Sequence, residues 1–496
     1  MTLRPGLGDL LERLALMRAK GIAGCSRLHD VELSSENFTL SSSYLNVSVS
    51  GMDLLSEPWI DVFTVDGAET LSMRELVRNL GDVIDITSGD PLEDAAILRM
   101  LMAADRVSNG DLAGWLPSTA GKWGLFDSTS PFWQNSRLRE HICDRTVSPA
   151  VTLSYRFAGN GSTLLDHHHN ESDLRLTPAA AARALMMRQQ FSVGGIQPFP
   201  ESIFGIKSAK ASVATGRPLV WIDAGNLADT LAANRQPGPA GTFFHTWPGG
   251  KPGDSRPPGG QADALTWQSR SMLLIPDSDG LVRGISITEG IRYGDDTDPQ
   301  LLPHTTYNQK KKTDPYTAWN VHASRPGWRQ LLTAYADPNA PGVLSGAVPG
   351  GSRIRLAGLA SYQSRLDGSV TTSLPAPQID RADVTMLDTG IGEARKYLVG
   401  RIIAAGRIVA PSSTPTSPGA WWRGSMPSDS RLNADVEPIV RRALIGDMSI
   451  PDAVAAMRSA AELCVDQFAG TVAATSPAAT VAATTAPRPE KKGTSS

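Results

Sequence analysis

The sequence predicts an α+β protein in which a large, irregular mixed domain precedes a C-terminal helical bundle. Three observations support this prediction. The chain has 496 residues, more than a single hydrophobic core usually contains, so at least two folded bodies are expected. Short strand-like segments alternate with isolated helices and polar turns up to about residue 385. After about residue 386 the hydrophobic positions follow the spacing of amphipathic helices.

The composition excludes several classes of protein. Hydrophobic residues make up 41% of the chain and charged residues 20%, as in ordinary globular proteins rather than disordered or fibrous ones. The net charge of -3 argues against a protein that binds nucleic acid alone, but it allows a local basic patch. Cys25, Cys143 and Cys464 are too scattered for a disulfide scaffold or a zinc site, so a reducing cytoplasm is expected. No run of about 20 apolar residues predicts a membrane span.

Residues 1–51 are predicted to be an N-terminal extension without stable order. An amphipathic helix passes into the serine-rich run ELSSENFTLSSSYLNVSVSG, which has the periodicity of neither a helix nor a buried strand. Met52 directly precedes the first clear structural pattern and is a candidate for the original start of the chain. The mixed domain is predicted to span residues 52–385.

Local signals predict individual elements of this domain. The segment DLLSEPWIDVFTVDG is typical of two strands that are joined by a turn at Asp66-Gly67. Helices are predicted where Ser72 caps SMRELVRNLG, where Pro91 opens PLEDAAILRMLMAADRV, and at PAAAARALMMRQQF. The Pro- and Gly-rich segment 237–263 is predicted to be a long surface excursion.

The C-terminal part is predicted to be a helical bundle over residues 386–472 and a disordered tail over 473–496. The helical pattern is carried by GEARKYLVGRIIAAGRIV, VEPIVRRALIGD and SIPDAVAAMRSAAELCVDQFAG. In the last of these, Ser449 can cap the helix and Pro451 can occupy its first turn. The Ala/Thr-rich tail has no aromatic residue, and ordering it would not offset its conformational entropy.

The best candidate for catalytic chemistry is the histidine run His167–His169, which follows Asp166 and precedes Glu171. Histidine and carboxylate side chains bind zinc or manganese, and Asp166 or Glu171 would act as base in a metal-dependent hydrolase. Three consecutive side chains on an extended loop point in alternating directions, however, which is poor geometry for one ion. Nucleophile-elbow, Walker A and dinucleotide-binding motifs are missing. No catalytic residue, metal or cofactor is therefore predicted, and the hydrolase is kept as the alternative.

Three separate segments suit contact with nucleic acid. A glycine loop, QFSVGG, precedes FGIKSAKASVATGR, where glycines allow close approach of the main chain and cations can neutralise phosphates. A cationic run, NQKKK, precedes DPYTAWNVH and can grip phosphates or enter a minor groove. A polar turn, SYQSR, follows the strand-like SRIRLAGLA. Each segment is equally compatible with an ordinary turn or a solvated charged loop.

These segments and several others, in their order along the chain, resemble the CasA family, the large subunit of the type I-E CRISPR surveillance complex (Cascade). The resemblance covers about residues 52–470. The motifs that carry it are LLSEPWIDV, DPLEDAAILRMLMAAD, SPFWQ, the glycine loop, TWQSR and NQKKKTDPYTAWNVH. It implies an irregular α+β body with a four-helix bundle after it, in agreement with the elements predicted above.

The resemblance also implies a function and its residues. Members of the family recognise the short PAM beside a DNA target through a glycine loop, a lysine and a glutamine-bearing wedge. Carried over to this sequence, these DNA-binding residues are Ser192, Val193, Gly194, Gly195, Lys310 and Gln363. The lysine position can equally fall on one of the two neighbouring lysines. Candidate phosphate contacts are Lys207, Lys210, Lys311 and Lys312, with Arg217 beside them.

The implied partners are the guide crRNA, the backbone, 5′-handle-binding and small subunits of Cascade, target double-stranded DNA and a recruited nuclease-helicase. The chain itself would be non-catalytic. Two departures from the family are visible: there is no cysteine cluster for a structural zinc, and residues 386–470 are few for four full helices. A third interpretation is a purely structural scaffold whose lysine run contacts an acidic partner surface.

Overall fold

The computed structural model describes residues 51–155, 174–294, 298–311, 313–323, 325–362, 365–409 and 426–473. Several predictions lie outside the described residues. They are the N-terminal extension up to residue 50, the histidine run with its neighbouring carboxylates, Lys312, Gln363 and the tail after Ala473.

Backbone contacts divide the chain into two compact units. The first comprises the described residues up to Thr305 together with Thr317–Ala323 and Ala357–Thr371. The second comprises Thr306–Tyr316, Ser324–Leu356 and the described residues from Thr372 onward. The sequence predicted a single change of domain near residue 385, whereas this division gives the helical unit some upstream segments as well. The domain limits 52–385 and 386–472 stay predictions.

The first unit is mixed, with short helices and several small sheets around a main hydrophobic core, beside which Leu138, Phe199, Leu273 and Ile275 form a smaller cluster. Its α-helices are Met73–Arg78, Pro91–Val107, Leu112–Trp115, Pro178–Gln190, Glu201–Phe204, Leu227–Ala233 and Gln261–Leu265. Its 3-10 helices are Leu116–Thr119, Ser136–His141 and Ala150–Leu153. Its strands are Ile60–Thr64, Gly67–Leu71, Val83–Ile86, Ser148–Pro149, Gly195–Ile196, Ser208–Ala209, Leu219–Asp223, Ser255–Arg256, Arg270–Pro276, Val282–Glu289, Arg292–Tyr293 and Thr317–Ala318.

Two antiparallel sheets organise this unit. In the N-terminal sheet, Ile60–Thr64 lies between Gly67–Leu71 and Val83–Ile86. The predicted turn lies one residue earlier than expected, at Val65-Asp66, because Gly67 already pairs with Thr64. In the second sheet, Val282–Glu289 lies between Ser148–Pro149 and Arg270–Pro276. This second sheet is almost wholly buried. Arg270–Pro276 has a nearly continuous apolar run, whereas in Val282–Glu289 the apolar Ile285 and Ile287 alternate with buried polar residues.

The predicted helix starts are confirmed by their caps. Ser72 and Glu75 form a capping box, in which each side chain accepts a hydrogen bond from the other residue's backbone N–H, at 3.2 and 2.8 Å. Asp90 caps the helix Pro91–Val107 by accepting from Leu92 N at 2.9 Å, and Pro91 supplies the first helical position.

The Pro- and Gly-rich segment 237–263 differs from its prediction in one respect. It contains little regular structure, as expected, but it is not only a surface excursion. Phe243 and His245 are each 8% exposed and pack in an aromatic cluster with Trp115, Trp123 and Phe132. The apolar area of these rings stabilises a segment whose composition alone favours a loop.

The second unit is dominated by helices, which confirms the predicted change of fold class along the chain. Its helices are Gly327–Ala336, Arg381–Val409, Met426–Leu444 and Ile450–Ala473, with the 3-10 turn Val343–Ser345 and the strand Tyr307–Asn308. The long strands Arg353–Tyr362 and Arg365–Pro375 pair with each other and belong in part to each unit.

Helix Arg381–Val409 packs against Ile450–Ala473, against Met426–Leu444 and against the shorter Gly327–Ala336. Gly390 permits Arg381–Val409 to approach Ile450–Ala473 closely, because a Cβ there would lie 3.0 Å from Val454 Cγ2. Of the four helices of this unit among the described residues, Gly327–Ala336 lies upstream of position 386. The shortage of residues for four helices after 386 stays a prediction, because residues 410–425 lie outside the described residues. No helix among the described residues is long and apolar enough to cross a membrane.

Two histidines of the first unit are buried so that their protonated forms are unfavourable. Burial lowers the pKa of His245 to about 4 and that of His304, with a contribution from Arg99, to about 3. Because an unfolded histidine has a pKa of about 6.5, the unfolded chain binds more protons below that pH, and stability is lost as the pH falls. The carboxyls of Glu93 and Asp94 act oppositely, since burial raises their pKa values to about 7 and about 6.

We therefore expect a His245→Asn variant to be less sensitive to acid than the parent. Between about pH 7 and pH 5, the free energy of unfolding of the parent should fall by about 2 kcal/mol more than that of the variant. The carboxyl contributions cancel because both proteins retain them. Urea unfolding at the two pH values measures this difference. The exposed His322 gives the control His322→Asn, and a pH-independent difference for His245→Asn would contradict the assignment.

Candidate nucleic-acid interface

The glycine loop begins where the helix Pro178–Gln190 ends. Thr177 caps this helix at its start, and Pro178 occupies the first position. At its end, two buried glutamines bond to the backbone of the TWQSR segment rather than to water. Gln189 Nε2 donates to Arg270 O at 2.8 Å and its Oε1 accepts from Arg270 N at 2.8 Å, while Gln190 Nε2 donates to Trp267 O at 3.2 Å. The start of the loop is thereby fixed to the core.

The loop then pairs with the lysine-bearing segment that follows it in the sequence. Gly195 lies opposite Ala209 and Ile196 opposite Ser208 in an antiparallel ladder, which Gln197 N extends by donating to Lys207 O at 3.2 Å. Further down, Ser212 N donates to Ser192 O at 2.8 Å. The sequence placed these two segments in one candidate surface, and the structure brings them together.

The two glycines are needed for different reasons. A Cβ at Gly194 would lie 2.9 Å from Ala209 O and 3.1 Å from Ala211 N, so the paired backbone leaves no room for a side chain. Gly195 has open space around it, but its φ of +144° is one that L-residues with a side chain rarely adopt. The pairing of the two segments therefore depends on glycine at both positions.

The buried side chain of Arg270 hydrogen-bonds both the glycine loop and the lysine-bearing segment from the core side. The side chain is 1% exposed, and its Nη2 donates to Val193 O at 3.0 Å and to Lys210 O at 2.8 Å, one carbonyl from each segment. Its Nη1 donates to Ser269 O at 2.8 Å. Glu289, also 1% exposed, accepts from Lys210 N at 2.8 Å. The charged side chains thus satisfy backbone groups that the short ladder leaves unpaired.

The charges beneath the loop sum to an excess of positive charge. Burial lowers the pKa of Arg270 to about 9, and the nearby Arg188 contributes to this shift, whereas Glu289 opposes it. Burial also lowers the pKa of Arg188 to about 10, and Arg188 Nε has no hydrogen-bond partner in the described part of the chain. Burial raises the pKa of Glu289. Three guanidinium groups, those of Arg188, Arg270 and Arg292, and one carboxylate lie in this cluster, with Arg292 Nε 3.6 Å from Glu289 Oε1, so the loop rests on a positively charged base.

Exposure differs among the predicted contact residues of the first unit. Ser192 is buried, and its Oγ donates to Arg188 O at 2.5 Å, so its side chain fixes the loop rather than facing outward. Val193, Gly194 and Gly195 are half-buried, and Lys207 and Lys210 are exposed. Arg217 is half-buried and lies with its guanidinium carbon 6.0 Å from the centroid of the Tyr293 ring, at a small cavity that Arg99 and His304 also line.

The lysine run lies in the second unit. Lys310 and Lys311 are both exposed on a turn in which Asp314 N donates to Lys311 O at 3.0 Å and Gln309 Nε2 donates to Asp314 O at 2.8 Å. The hydroxyl of Tyr316 donates to Asp337 Oδ2 at 2.8 Å, and burial and this carboxylate raise the pKa of Tyr316 to about 12. The turn is therefore anchored at its C-terminal side.

Reasoning from sequence missed the residues that support the glycine loop. Arg188, Gln189, Arg270 and Glu289 were not named as site residues, although TWQSR was noted as a motif. The sequence did contain a signal for two of them. Arg270 begins the strand RSMLLIP and Glu289 ends the strand VRGISITE, and a charged side chain needs a partner when its strand is buried. No group of three or more His, Cys, Asp or Glu residues among the described residues is arranged to hold a metal ion, and the histidine run lies outside them.

The chain is similar to known proteins in both sequence and structure. The sequence profile of CRISPR-associated protein Cse1 matches residues 53–398, well over half of the chain. CRISPR-associated protein CasA/Cse1 from Thermus thermophilus is 27% identical over 263 residues, which are 47% of this chain and 51% of that protein. The chain thus matches that curated relative over about half of the relative's length.

Solved structures share the fold at low sequence identity. The crystal structure of Thermus thermophilus CasA matches with a TM-score of 0.67 at 18% identity, covering 85% of this chain and 95% of that one. A chain of a CRISPR RNA-guided surveillance complex matches with a TM-score of 0.70 at 20% identity, covering 88% and 98%. Cse1 from Acidimicrobium ferrooxidans matches with a TM-score of 0.64 at 19% identity, covering 88% and 96%. With the profile match over residues 53–398, the chain belongs to the CRISPR-associated protein Cse1 family.

Proposed function

We propose that this chain is the large subunit of a type I-E Cascade complex and recognises the PAM of double-stranded DNA from the minor groove. In this role it promotes strand opening and R-loop formation, recruits the nuclease-helicase, and performs no catalysis itself. Membership of the Cse1 family and the likeness to a chain of an RNA-guided surveillance complex support the assignment. The partners would be crRNA, the other Cascade subunits and target DNA in the cytoplasm.

The observation that carries the proposal is the paired glycine loop. Its backbone is partly exposed at Gly194 and Gly195, Lys207 and Lys210 are exposed beside it, and Arg270 with Arg188 adds positive charge beneath it. A rigid main-chain loop on a positive base suits close approach to a DNA backbone. The other proposed contacts are Lys310, with Lys311 and Lys312 next to it, and the wedge at Gln363.

Minor-groove recognition fits the limited set of side chains in this surface. The minor groove distinguishes A·T from G·C pairs but little else, so a loop that tests groove shape tolerates several PAM sequences. A side chain that wedges into the duplex beside the loop offsets some of the free-energy cost of unstacking one DNA base step, about a few kcal/mol. Identity of the remaining target is then tested by guide pairing, so no active-site residue is required of this chain.

A gel-shift experiment tests the proposal. Guide-loaded complex is assembled with and without this chain and is incubated, at fixed salt, with target duplex that carries an intact or a scrambled PAM. We expect retention of the intact duplex only when the chain is present. PAM-independent retention would instead favour the scaffold interpretation. A chain that changes nothing would contradict the proposed function, and metal analysis of the purified chain would then test the hydrolase.

The proposed phosphate or groove contact of Lys310 yields one expected result. Lys310→Ala should weaken capture of the intact duplex about fivefold at low salt. The slope of log affinity against log salt concentration should become less negative by about one, as expected when one phosphate contact is lost. Equilibrium binding across a salt series measures both quantities. Lys251→Ala, which removes another exposed lysine, serves as the matched control. Equal capture by Lys310→Ala and the parent would remove Lys310 from the interface.

A further inference from the structure

An exposed isoleucine lies in the strand that contains the second glycine. Ile196 is 74% exposed, the highest value among the exposed large hydrophobic side chains of the described residues. The next most exposed, Val65 at 65%, lies in the turn between the first two strands. A single exposed apolar side chain is common on protein surfaces, so its exposure alone does not imply a partner. The groups around Ile196 decide what it can contact.

The position of Ile196 in the ladder shows which groups surround it. It lies opposite Ser208, and side chains of directly opposed residues in an antiparallel pair project from the same face. Lys210 is two residues from Ser208, so the pleat places it on that face as well. Ser208 and Lys210 are exposed, whereas Ala209, whose side chain belongs to the other face, is buried. The outer face thus combines one apolar side chain with a hydroxyl and a cation.

The charge around this face identifies the class of partner. Between Ser192 and Arg217 the chain carries three cations, Lys207, Lys210 and Arg217, and a single carboxylate, Glu201. The buried Arg270 lies directly beneath, with its guanidinium on the carbonyls of Val193 and Lys210. An isolated apolar side chain within a positive surface is the combination that minor-groove proteins use, in which cations bind phosphates and an Ile, Leu, Met or Phe contacts sugars or a base step.

We propose that Ile196 is a DNA contact of the glycine loop, where its side chain packs into the minor groove of the duplex beside the PAM. This inference rests on the proposed function and adds to it an exposed apolar side chain, whereas Val193, the apolar residue among the predicted contacts, is half-buried. The rigid pairing at Gly194 and Gly195 fixes the direction of the side chain, so little conformational entropy is lost when DNA binds. Ile196 discriminates by groove width, because a narrow groove brings sugar atoms within contact distance of its methyl groups.

The test uses guide-loaded complex with the full chain and four forms of it: parent, Ile196→Ser, Ile196→Leu and Val65→Ser. Val65→Ser is the matched control because it removes an apolar side chain of similar exposure from another part of the unit. Incorporation of each form into the complex is measured first. Equilibrium affinity is then measured for duplexes with an intact and a scrambled PAM at low and high salt.

We expect Ile196→Ser to lower the affinity for the intact duplex about three- to tenfold, since the hydroxyl cannot replace the lost apolar contact. The loss should have the same size at both salt concentrations, which distinguishes an apolar contact from a phosphate contact. Ile196→Leu and Val65→Ser should bind like the parent, and the affinity for the scrambled duplex should be unchanged.

Two results would overturn this inference while leaving the proposed function intact. In the first, Ile196→Ser captures and discriminates duplexes as the parent does. In the second, Ile196→Ser fails to enter the complex whereas Val65→Ser enters it, which would assign Ile196 to contact with another subunit. If the parent complex itself does not distinguish the two duplexes, the proposed function is contradicted, and the inference falls with it.

Discussion

Glu289→Gln is expected to lower the free energy of unfolding of the mixed unit by about 1–3 kcal/mol, the range for leaving a buried polar group without its partner. Glu289 is 1% exposed and is the acidic neighbour that raises the pKa of Arg270, against the effects of burial and of Arg188. Without its charge, Arg188, Arg270 and Arg292, whose Nε lies 3.6 Å from Glu289 Oε1, would lie close together without the carboxylate that offsets them. Since charge removed from water needs a counter-charge, the folded state loses stability.

The substitution isolates charge from shape. Glutamine keeps the size of the side chain, and its Oε1 can still accept the hydrogen bond from Lys210 N. Urea unfolding at neutral pH measures the effect, and Glu69→Gln, at an exposed position, is the control and should differ from the parent by less than about 0.5 kcal/mol. A loss below about 1 kcal/mol for Glu289→Gln would mean that the arginines do not depend on this carboxylate.

Elements that depend on local signals were predictable from the sequence. Ser72 and Asp90 cap their helices by hydrogen bonds to backbone groups within three residues, and the turn at Val65-Asp66, one residue before its predicted position, closes a hairpin of neighbouring strands. The change from a mixed to a helical composition was also predictable, because amphipathic spacing is repeated over the C-terminal segments. These features need no knowledge of distant residues.

Features that depend on distant packing were predicted less well. The helical pattern was placed after about residue 386, but the helix begins at Arg381. Glycines at 390 and 392 lower the intrinsic helix propensity of that segment, whereas packing of Gly390 against Val454 requires the small residue. Phe243 and His245 likewise come from a Pro- and Gly-rich segment and are buried only because aromatic rings far away in the sequence receive them.

The candidate site shows the same limit. The segments with Gly194 and Lys210 could be named from composition, but their ladder has two residues on each strand, too few for any periodicity. The support from Arg270 and Glu289 joins positions that are 60 and 79 residues from Lys210 in the sequence. A sequence cannot indicate whether one arginine is buried on carbonyl groups or exposed to water, since the residue type is the same in both cases.

Gly194→Ala is expected to reduce the affinity of the assembled complex for a duplex with an intact PAM about tenfold, the largest effect on DNA capture among the substitutions considered. The added Cβ would lie 2.9 Å from Ala209 O and 3.1 Å from Ala211 N. Both atoms belong to the backbone, so a rotamer change cannot relieve the contact and the two segments must separate. Arg270 bonds one carbonyl of each segment and loses its geometry when they part.

The effect on stability should be smaller than the effect on binding. Overpacking costs about 1–3 kcal/mol, and the strain falls on a loop at the edge of the core. Gly81→Ala is the matched control, because a Cβ there meets nothing within 4 Å and its φ is not positive. Affinity for intact and scrambled duplexes and urea unfolding are measured for both variants. Because a rigid loop is what allows the backbone to test the groove, Gly194→Ala should lower the ratio of the two affinities. An equal loss on both duplexes would mean that the loop contributes only general attraction to DNA.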